Sequence, residues 1–589
     1  MKDFADNHNL KTNIKDKDLF RRLMGFATCY KLQFIIIFIL IIVMVLIDLV
    51  PPIIVGEIIN LLKNGTTDFN IILLLSGGYF ICLVFSSILN YMQAIKIQKT
   101  GQSILFNIRS KVFTKIESLS IGQINHIPIG KLVTRVTNDT NTLNQMYTQV
   151  SINIFKNVFT IIGVVIAMFI YNVRVTLFVL SVLPIIFLIS LIFRYYARRA
   201  HRLVRSNLSN INAFLSENLS LMKIIQGMNQ QRKQYGEFKE KSDKLKKSYI
   251  QEIIIFGIFR PLIYLLNIGS TILILYIGSI LVMDEVVELG IISTFSLYIQ
   301  QLFQPLQQLS EQFNVLQSSF AAAERIFDVL DTEPTVKNNK DGIKVDKLRG
   351  EIEFKNVWFA YENENWILKD VSFKVNEGET VAFVGATGSG KTTILNLIVR
   401  NYDIQKGQIL IDGIDIKEYD IDSLRKNIGQ MLQDVFLFSG TIKANIKLKD
   451  DSITDKEVVE AVKYVNAEFI IDKLENGYDT IVKERGSNFS TGERQLLSFA
   501  RVIAHKPSVM ILDEATSNID TETEQVIQES LQKMMNIGTM LVVAHRLSTI
   551  QHADKIILLS HGEIKEVGNH QELLKKKGMY YNLYRLQYE

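Results

Sequence analysis

The chain has little cysteine and none of it in a pattern. Cys29 and Cys82 are the only two among 589 residues, and both sit in or near apolar stretches. Such sparse usage excludes a disulfide framework and a cysteine-ligated metal cluster. A basic stripe of the kind that tracks nucleic acid is also missing. Net charge is only +5, with Lys and Arg gathered at the N-terminus and in two long loops of the first half. That distribution is a membrane-topology pattern, so no nucleic-acid partner is expected. The first apolar run does not read as a cleavable signal peptide either, because it is too long and no small-residue cleavage site follows it. No internal repeat and no second phosphate-binding loop are found. What the chain has in quantity is apolar residue, 48% of the total, unevenly spread. Before Asp331 there are long uncharged runs, and after it the composition is that of an ordinary charged globular domain. At roughly 150 residues per domain the length corresponds to three or four domains' worth of chain.

A helix needs about 20 apolar residues to cross the hydrocarbon core of a bilayer. Six stretches qualify, near Leu32–Leu62, Ile71–Met92, Val150–Tyr171, Val175–Phe193, Ile253–Leu281 and Leu289–Gln308. Pro51-Pro52 should kink the first. The connections alternate between short and long. The long ones carry Lys96, Lys99, Arg109, Lys111, Lys115, Lys131 and Arg135, then Arg194, Arg198, Arg199, Arg202, Arg205 and the run from Lys239 to Lys247. The short ones hold Lys63, Arg174, Asp284 and Glu285. The positive-inside rule therefore places the N-terminus, both long loops and the chain beyond the last span in the cytoplasm of a multi-pass cell-membrane protein. Leu19, Leu23, Phe26, Ala27 and Tyr30 have helical spacing beside Arg21-Arg22, as in an interfacial amphipathic helix feeding the first span. Apolar periodicity continues beyond the bilayer limit at Leu105, Ile108, Val112 and Ile116, and at Leu208, Ile211, Leu215, Leu219 and Met222. The helices should extend well into the cytoplasm, with "SLSIGQINHIPIG" and "GMNQQRKQYGEF" at the turns of two hairpins suited to touching a cytoplasmic domain. Gln300, Gln304, Gln307, Gln308 and Glu311 form a polar stripe on the sixth stretch. Such a face must meet protein or water, either along a cargo pathway or in helix packing.

Past the polar "DTEPTVKNNKDG", the runs "EIEFKNVWFAY" and "VSFKV" alternate like antiparallel strands, whereas "TVAFVG" is nearly continuous, like a buried one. The last leads into Gly385-Ala386-Thr387-Gly388-Ser389-Gly390-Lys391-Thr392-Thr393 and an apolar-periodic helix. Glycine lets backbone N–H groups close around phosphate oxygens, and the helix N-terminus adds its positive end. Lys391 supplies charge to the outer phosphates and Thr392 a hydroxyl for Mg²⁺. "VMILDE" reads as a buried strand ending in two acids at the ligand-binding edge of a sheet. Asp513 is placed to hold Mg²⁺, and Glu514 to act as base or water-orienter at a γ-phosphate. His545 ends another apolar run, "TMLVVAH", and could polarise the same phosphate.

In their joint order these pieces resemble a half-transporter of the ATP-binding-cassette exporter family, multidrug-resistance-like, over essentially the whole chain. The resemblance adds Gln433 in "MLQDVFLFSGTIKANI" as the Q-loop residue beside Mg²⁺ and the attacking water. It adds "SNFSTGERQ" as the signature, "SNID" at Ser517–Asp520 as the D-loop, His545 as the switch histidine and Tyr361 as the aromatic on adenine. It also extends to "GKLVTRVTNDT" and "AAAERIFDVLD". The implied architecture is an all-α membrane domain of six helices with long cytoplasmic extensions, fused to an α/β P-loop domain with a helical subdomain. The expected boundaries are an amphipathic segment at 1–30, the membrane domain at 31–330, a linker at 331–350 and the nucleotide-binding domain at 351–589. Catalysis would rest on Glu514, His545 and Gln433, and the metal on Thr392, Gln433 and Asp513. Ser490 and the backbone of Gly492 would cap the γ-phosphate of ATP held by a partner's P-loop. The family's usual signature is Leu-Ser-Gly-Gly-Gln, and Phe489-Ser490-Thr491-Gly492-Glu493 departs from it at three of five positions. Thr491 adds a Cβ that disfavours φ > 0 at a close approach to phosphate. With Asp513, Glu514 and His545 intact, the chain resembles the catalytically intact subunit of heterodimeric exporters, so a second, different half-transporter is favoured over a homodimer. The implied activity is ATP-driven export or flipping of amphipathic small molecules such as drugs or lipids. A peptide exporter and a non-pumping ATP-gated regulator are the alternatives. The residues before the first span are too few for a cargo-processing protease domain.

Overall fold

The computed structural model describes residues 16–65, 69–181, 183–284, 287–339, 341–362, 364–432, 435–513, 521–543 and 551–588. It divides into two compact units. One is 1–117 with 129–332, and the other is 118–128 with 333–589.

The first unit is helical. Among the described residues, helices cover all six apolar stretches, and four of these helices carry a long apolar window: Asp18–Lys63, Phe69–Glu117, Ile129–Tyr171 and Gln231–Met283. The fourth stretch falls on Val173–Leu180 and the start of Leu183–Ser220. The sixth falls on Leu289–Asp331, where the glutamines dilute the apolar run. The 49 residues of Phe69–Glu117 span about 70 Å at 1.5 Å per residue. That is over twice the hydrocarbon thickness of about 30 Å, so the helix outruns the bilayer as its periodicity implies. In the second hairpin the break is short and falls at the start of the expected turn. A helix at Met222–Gly227 is followed by Gln231–Met283, with Asn229 at φ +52° between them.

Pro51 and Pro52 open a new helical segment, Val50–Lys63, after Lys31–Asp48. A proline cannot donate to the carbonyl four residues back. The carbonyl that Pro52 leaves open is that of Asp48, and Gln301 Nε2 donates to it at 3.0 Å. Tyr298 Oη donates to Leu49 O at 2.8 Å and Thr294 Oγ1 to Pro52 O at 3.1 Å. The sixth stretch therefore repairs the kink in the first. Gln300 and Gln304 of the polar stripe are exposed and, with Gln301, Tyr79 and the two prolines, line a small cleft of about 280 Å³.

The N-terminal helix, Asp16–Ala27, corrects the sequence reading of an interfacial segment. Leu19, Leu23 and Ala27 are buried in a cluster with Ile104, Ile108, Ile326 and Phe327. Arg22 makes two hydrogen bonds to Asp331, at 2.6 and 2.7 Å, and lies 4.0 Å over the Phe327 ring. Protein rather than lipid covers this apolar face, because the last turns of Leu289–Asp331 supply both an aromatic and a counter-charge.

The second unit is α/β. Strands β1 (Ile352–Ala360), β2 (Trp366–Val375), β3 (Thr380–Val384), β4 (Lys406–Ile411), β5 (Ile414–Asp415) and β6 (Ile428–Met431) come first in the chain. After β7 (Gly440–Thr441) and β8 (Ile481–Val482) come β9 (Val509–Asp513), β10 (Thr539–Val543), β11 (Lys555–Ser560) and β12 (Glu563–Gly568). An antiparallel sheet runs β2-β1-β4-β5. A second sheet runs β12-β11-β3-β10-β9-β6, parallel except for β12. All five residues of β3 and of β10 are buried, which explains their unbroken apolar runs. The helices Ile442–Lys447, Asp455–Tyr464 and Thr491–Ala504 share one core with a face of the second sheet, in which Leu437, Ile446, Val462, Leu496 and Phe499 are buried together with Val384, Leu512 and Val542. The segment 118–128, the first hairpin turn, packs within this second unit.

Candidate nucleotide site

In the parallel sheet, β10 lies between β3 and β9, with Val543 in register with Phe383 on one side and Asp513 on the other. The C-terminal ends of these strands therefore share one edge, the edge that binds ligands in open α/β sheets. β3 passes at Val384 into the glycine-rich loop and then the helix Lys391–Ile398. Gly385 has φ +151° and Gly390 φ +105°. A Cβ on Gly385 would collide with the Leu559 carbonyl, and one on Gly390 would lie 2.6 Å from Leu368 Cδ2. Both positions thus need glycine for conformation and for space.

Within the loop, the buried Lys391 ammonium donates to the carbonyls of Gly385 at 2.8 Å and Ala386 at 3.0 Å. Burial pushes its pKa below the ordinary lysine value, and Asp513 pulls it partly back. Ser389 Oγ is buried with no hydrogen-bond partner among the described residues. A buried ammonium, an unused hydroxyl and a helix N-terminus behind glycine backbone fit an anion with several oxygens. The donor set suits a nucleotide phosphate chain. Thr392 and Asp513 border the same cleft, a hydroxyl and a carboxylate as Mg²⁺ sites on phosphate use them.

The cleft, of about 450 Å³, is lined by Tyr361, Thr387, Gly388, Lys391, Thr392 and Asp513, with Thr393, Gly390, Ile367 and Val543. Tyr361 Oη lies 3.0 Å from Thr393 Oγ1. Its ring meets Phe359 and Tyr402 edge-on at 4.9 and 5.0 Å, leaving it 42% exposed for stacking. Burial raises the phenol's pKa, against the opposing effect of the Thr393 hydrogen bond, so it is neutral at physiological pH. Ile367 and Tyr402 were not singled out from sequence; they belong to no motif and reach the site only through the fold.

Ser490 and Gly492 are not among the residues lining this cleft. Ser490 caps the helix Thr491–Ala504 in a capping box: its Oγ accepts from Glu493 N at 3.1 Å, while Ser490 N donates to Glu493 Oε2 at 2.8 Å. Thr491 is the first residue of the helix and has no positive φ. The expected backbone penalty for Thr491 is therefore corrected: a helix start needs no φ > 0. Its hydroxyl points to solvent enough to accept from Arg494 Nη2 at 3.3 Å. Glu493 holds its charge at the helix N-terminus. Gln433, Glu514, Ser517–Asp520 and His545 lie outside the described residues.

Two family models match the chain, an ABC transporter transmembrane region over residues 34–306 and an ABC transporter domain over residues 368–517. An uncharacterized ABC transporter ATP-binding protein of Bacillus subtilis is 36% identical over 96% of this chain and 94% of its own length. A probable multidrug resistance ABC transporter ATP-binding/permease protein of the same organism is 38% identical over 88% of this chain and 76% of its own. An ATP-dependent lipid A-core flippase of Syntrophus aciditrophicus is 33% identical, covering 85% and 83% respectively. With a helical membrane domain fused to a P-loop α/β domain in one polypeptide, and with these likenesses along nearly its whole length, the chain belongs to the ABC transporter family and couples ATP hydrolysis to transport across a membrane.

Proposed function

We propose that the protein exports or flips amphipathic small molecules across the cell membrane, as one half of a dimer whose other half is a different half-transporter. The observation that carries the dimer is that Ser490 and Gly492 stay outside the cleft formed by Tyr361, the P-loop and Asp513. A signature that does not serve its own cleft is free to serve another chain's. The cargo class is supported by the relatives, which include a probable multidrug resistance transporter and a lipid A-core flippase. The basic long loops support a cytoplasmic nucleotide domain.

In this reading Tyr361 stacks on adenine. Loop amides from Gly385 to Thr393 and the Lys391 ammonium hold the phosphates. Mg²⁺, when bound through Thr392, Asp513 and Gln433, supplies charge neutralisation at the transferring phosphoryl. Glu514 orients and deprotonates the attacking water, and His545 donates toward the γ-phosphate. Across the dimer, Ser490 and the Gly492 amide meet the partner's nucleotide. There the Glu493 carboxylate, held on Ser490 N, opposes phosphate at the helix end. This favours a pair of unequal sites, with Glu514 serving the stronger.

The test is ATPase activity in nanodiscs. The lone chain should hydrolyse ATP weakly and gain at least about tenfold when co-purified with a second half-transporter. Strong, cooperative hydrolysis by the lone chain would overturn the heterodimer. Glu514→Gln in the pair should keep ATP bound and abolish turnover; near-normal hydrolysis would remove Glu514 from its role.

A further inference from the structure

The helix Leu183–Ser220 carries charge of one sign. It holds Arg194, Arg198, Arg199, Arg202 and Arg205, no lysine, and a single acid, Glu217, well beyond the last arginine. Its neighbour in the same unit, Gln231–Met283, is built differently. There Lys239, Lys241, Lys244, Lys246 and Lys247 are interleaved with Glu237, Glu240 and Asp243, and Lys244 pairs with Glu240 at 2.7 Å. That is an ordinary solvated face. Among the described residues, Arg198, Arg199, Arg202 and Arg205 make no ion pair, and all four are exposed. Arg202 donates to a backbone carbonyl, that of Arg198 at 3.4 Å.

Helix geometry gathers these arginines away from the packed side. Ala200, Val204 and Ile211 are buried and mark the face turned to protein. At 3.6 residues per turn, Arg198, Arg202 and Arg205 fall within about 60° of one another on the far side, with Arg199 at the flank. Tyr195, 66% exposed, continues the row, and the adjacent Tyr196 is 53% exposed. Contacts with Gln231–Met283 fix the level of the row. Phe193 stacks on Phe259 at 3.7 Å, His201 Nδ1 lies 2.8 Å from Glu252 Oε1, and Asn207 Nδ2 donates to Ser248 Oγ at 2.6 Å. The fourth apolar stretch ends at Phe193 and the fifth begins at Ile253, one residue beyond the partner of His201. The row from Tyr195 to Arg205, about 15 Å long, therefore starts where the hydrocarbon ends. Apolar side chains give way first to tyrosine and then to arginine, the order of a membrane interface.

We propose that Tyr195, Arg198, Arg199, Arg202 and Arg205 form a docking surface for anionic phospholipid, with the guanidinium groups on headgroup phosphates and the tyrosines at the acyl boundary. Charge complementarity and position name the occupant. Unpaired guanidinium groups call for anions, and the layer just outside the hydrocarbon supplies phosphate at high density. A guanidinium fork binds phosphate oxygens in pairs. Zwitterionic headgroups bring their own cation, so net-anionic ones are favoured. Arg205, furthest from the hydrocarbon, reaches back on its apolar stem. The surface depends on neither the cargo nor the dimer reading, because it lies on one helix of one chain.

The test uses the full-length chain, delipidated in detergent and titrated with phosphatidylglycerol or phosphatidylcholine, with bound lipid counted by native mass spectrometry. Wild type should bind phosphatidylglycerol at least about tenfold more tightly than phosphatidylcholine. Each basic group near an anionic surface is worth about fivefold. Arg202→Gln alone should therefore weaken phosphatidylglycerol about fivefold. Arg198→Gln, Arg202→Gln and Arg205→Gln together should weaken it at least about tenfold and leave phosphatidylcholine unchanged. The same three positions changed to Lys keep the charge and should stay within about threefold of wild type. Lys241→Gln, Lys246→Gln and Lys247→Gln together, an equal loss of charge on the neighbouring helix, should cost less than about twofold. Unchanged phosphatidylglycerol affinity in Arg202→Gln or in the triple arginine variant overturns the proposal. So does an equal loss in the arginine and lysine triples, which would reduce the effect to net charge. If the arginine triple instead loses co-purification with a second half-transporter while phosphatidylglycerol affinity holds, the surface is a protein contact and the proposal fails.

Discussion

Gly385–Thr393 and Phe489–Glu493 both present a helix N-terminus for phosphate, but they are built on different physics. The first is a backbone device. Gly385 and Gly390 hold φ values of +151° and +105°, with a carbonyl and a leucine methyl where a Cβ would go. The second is a side-chain device, in which Ser490 and Glu493 cap each other's backbone around an ordinary helical start. A backbone device tolerates almost no substitution. A capping box asks only for a short hydroxyl and a Glu or Gln three residues on. This explains how the signature can drift from the family's usual sequence while the P-loop stays close to its motif.

Substitutions can break that contrast, starting at its rigid end. Gly390→Ala should cost about 3 kcal/mol, from positive-φ strain and overpacking against Leu368. That corresponds to about a hundredfold weaker ATP binding, measurable by fluorescent-nucleotide titration. An unchanged affinity would show that the loop does not need its glycine. Ser490→Ala removes the cap and should cost about 1 kcal/mol. It should speed hydrogen exchange at the first turn of Thr491–Ala504 about fivefold while leaving binding in the chain's own cleft intact. Glu493→Gln preserves the box but removes the charge. It should tighten nucleotide at the partner-completed site by about two- to fivefold, the worth of one charge at a helix end. A loss of affinity would mean that the carboxylate helps rather than opposes phosphate. Smallest of all, Thr491→Gly should shift hydrolysis by less than about twofold, because the position needs no unusual φ. A large gain would show that the Thr491 side chain itself limits that site.

The same contrast governs what could be read in advance. The P-loop was legible because each glycine answers a local demand. Strands β1, β2 and β3 were legible because alternation and continuity report burial directly. The signature was found by resemblance, but the consequence of its changes was not. The expected φ > 0 at Thr491 gave way to a helix start, and the role of Glu493 emerged only when its Oε2 was seen on Ser490 N. The N-terminal helix shows the limit from another side. Its apolar spacing at Leu19, Leu23 and Ala27 was plain, but periodicity cannot say whether lipid or protein covers a face. Phe327 and Asp331 decided that.

By itself, then, the sequence determined the membrane helices, the P-loop strand–turn–helix and the family, because those signals lie within single elements a few turns or strands long. Tertiary structure alone decided that Gln301 repairs the carbonyl freed by Pro52 and that Tyr402 stands between Tyr361 and Gly122. Those contacts join residues far apart in the chain, and only three-dimensional close packing, which leaves no local mark on either partner, brings them together.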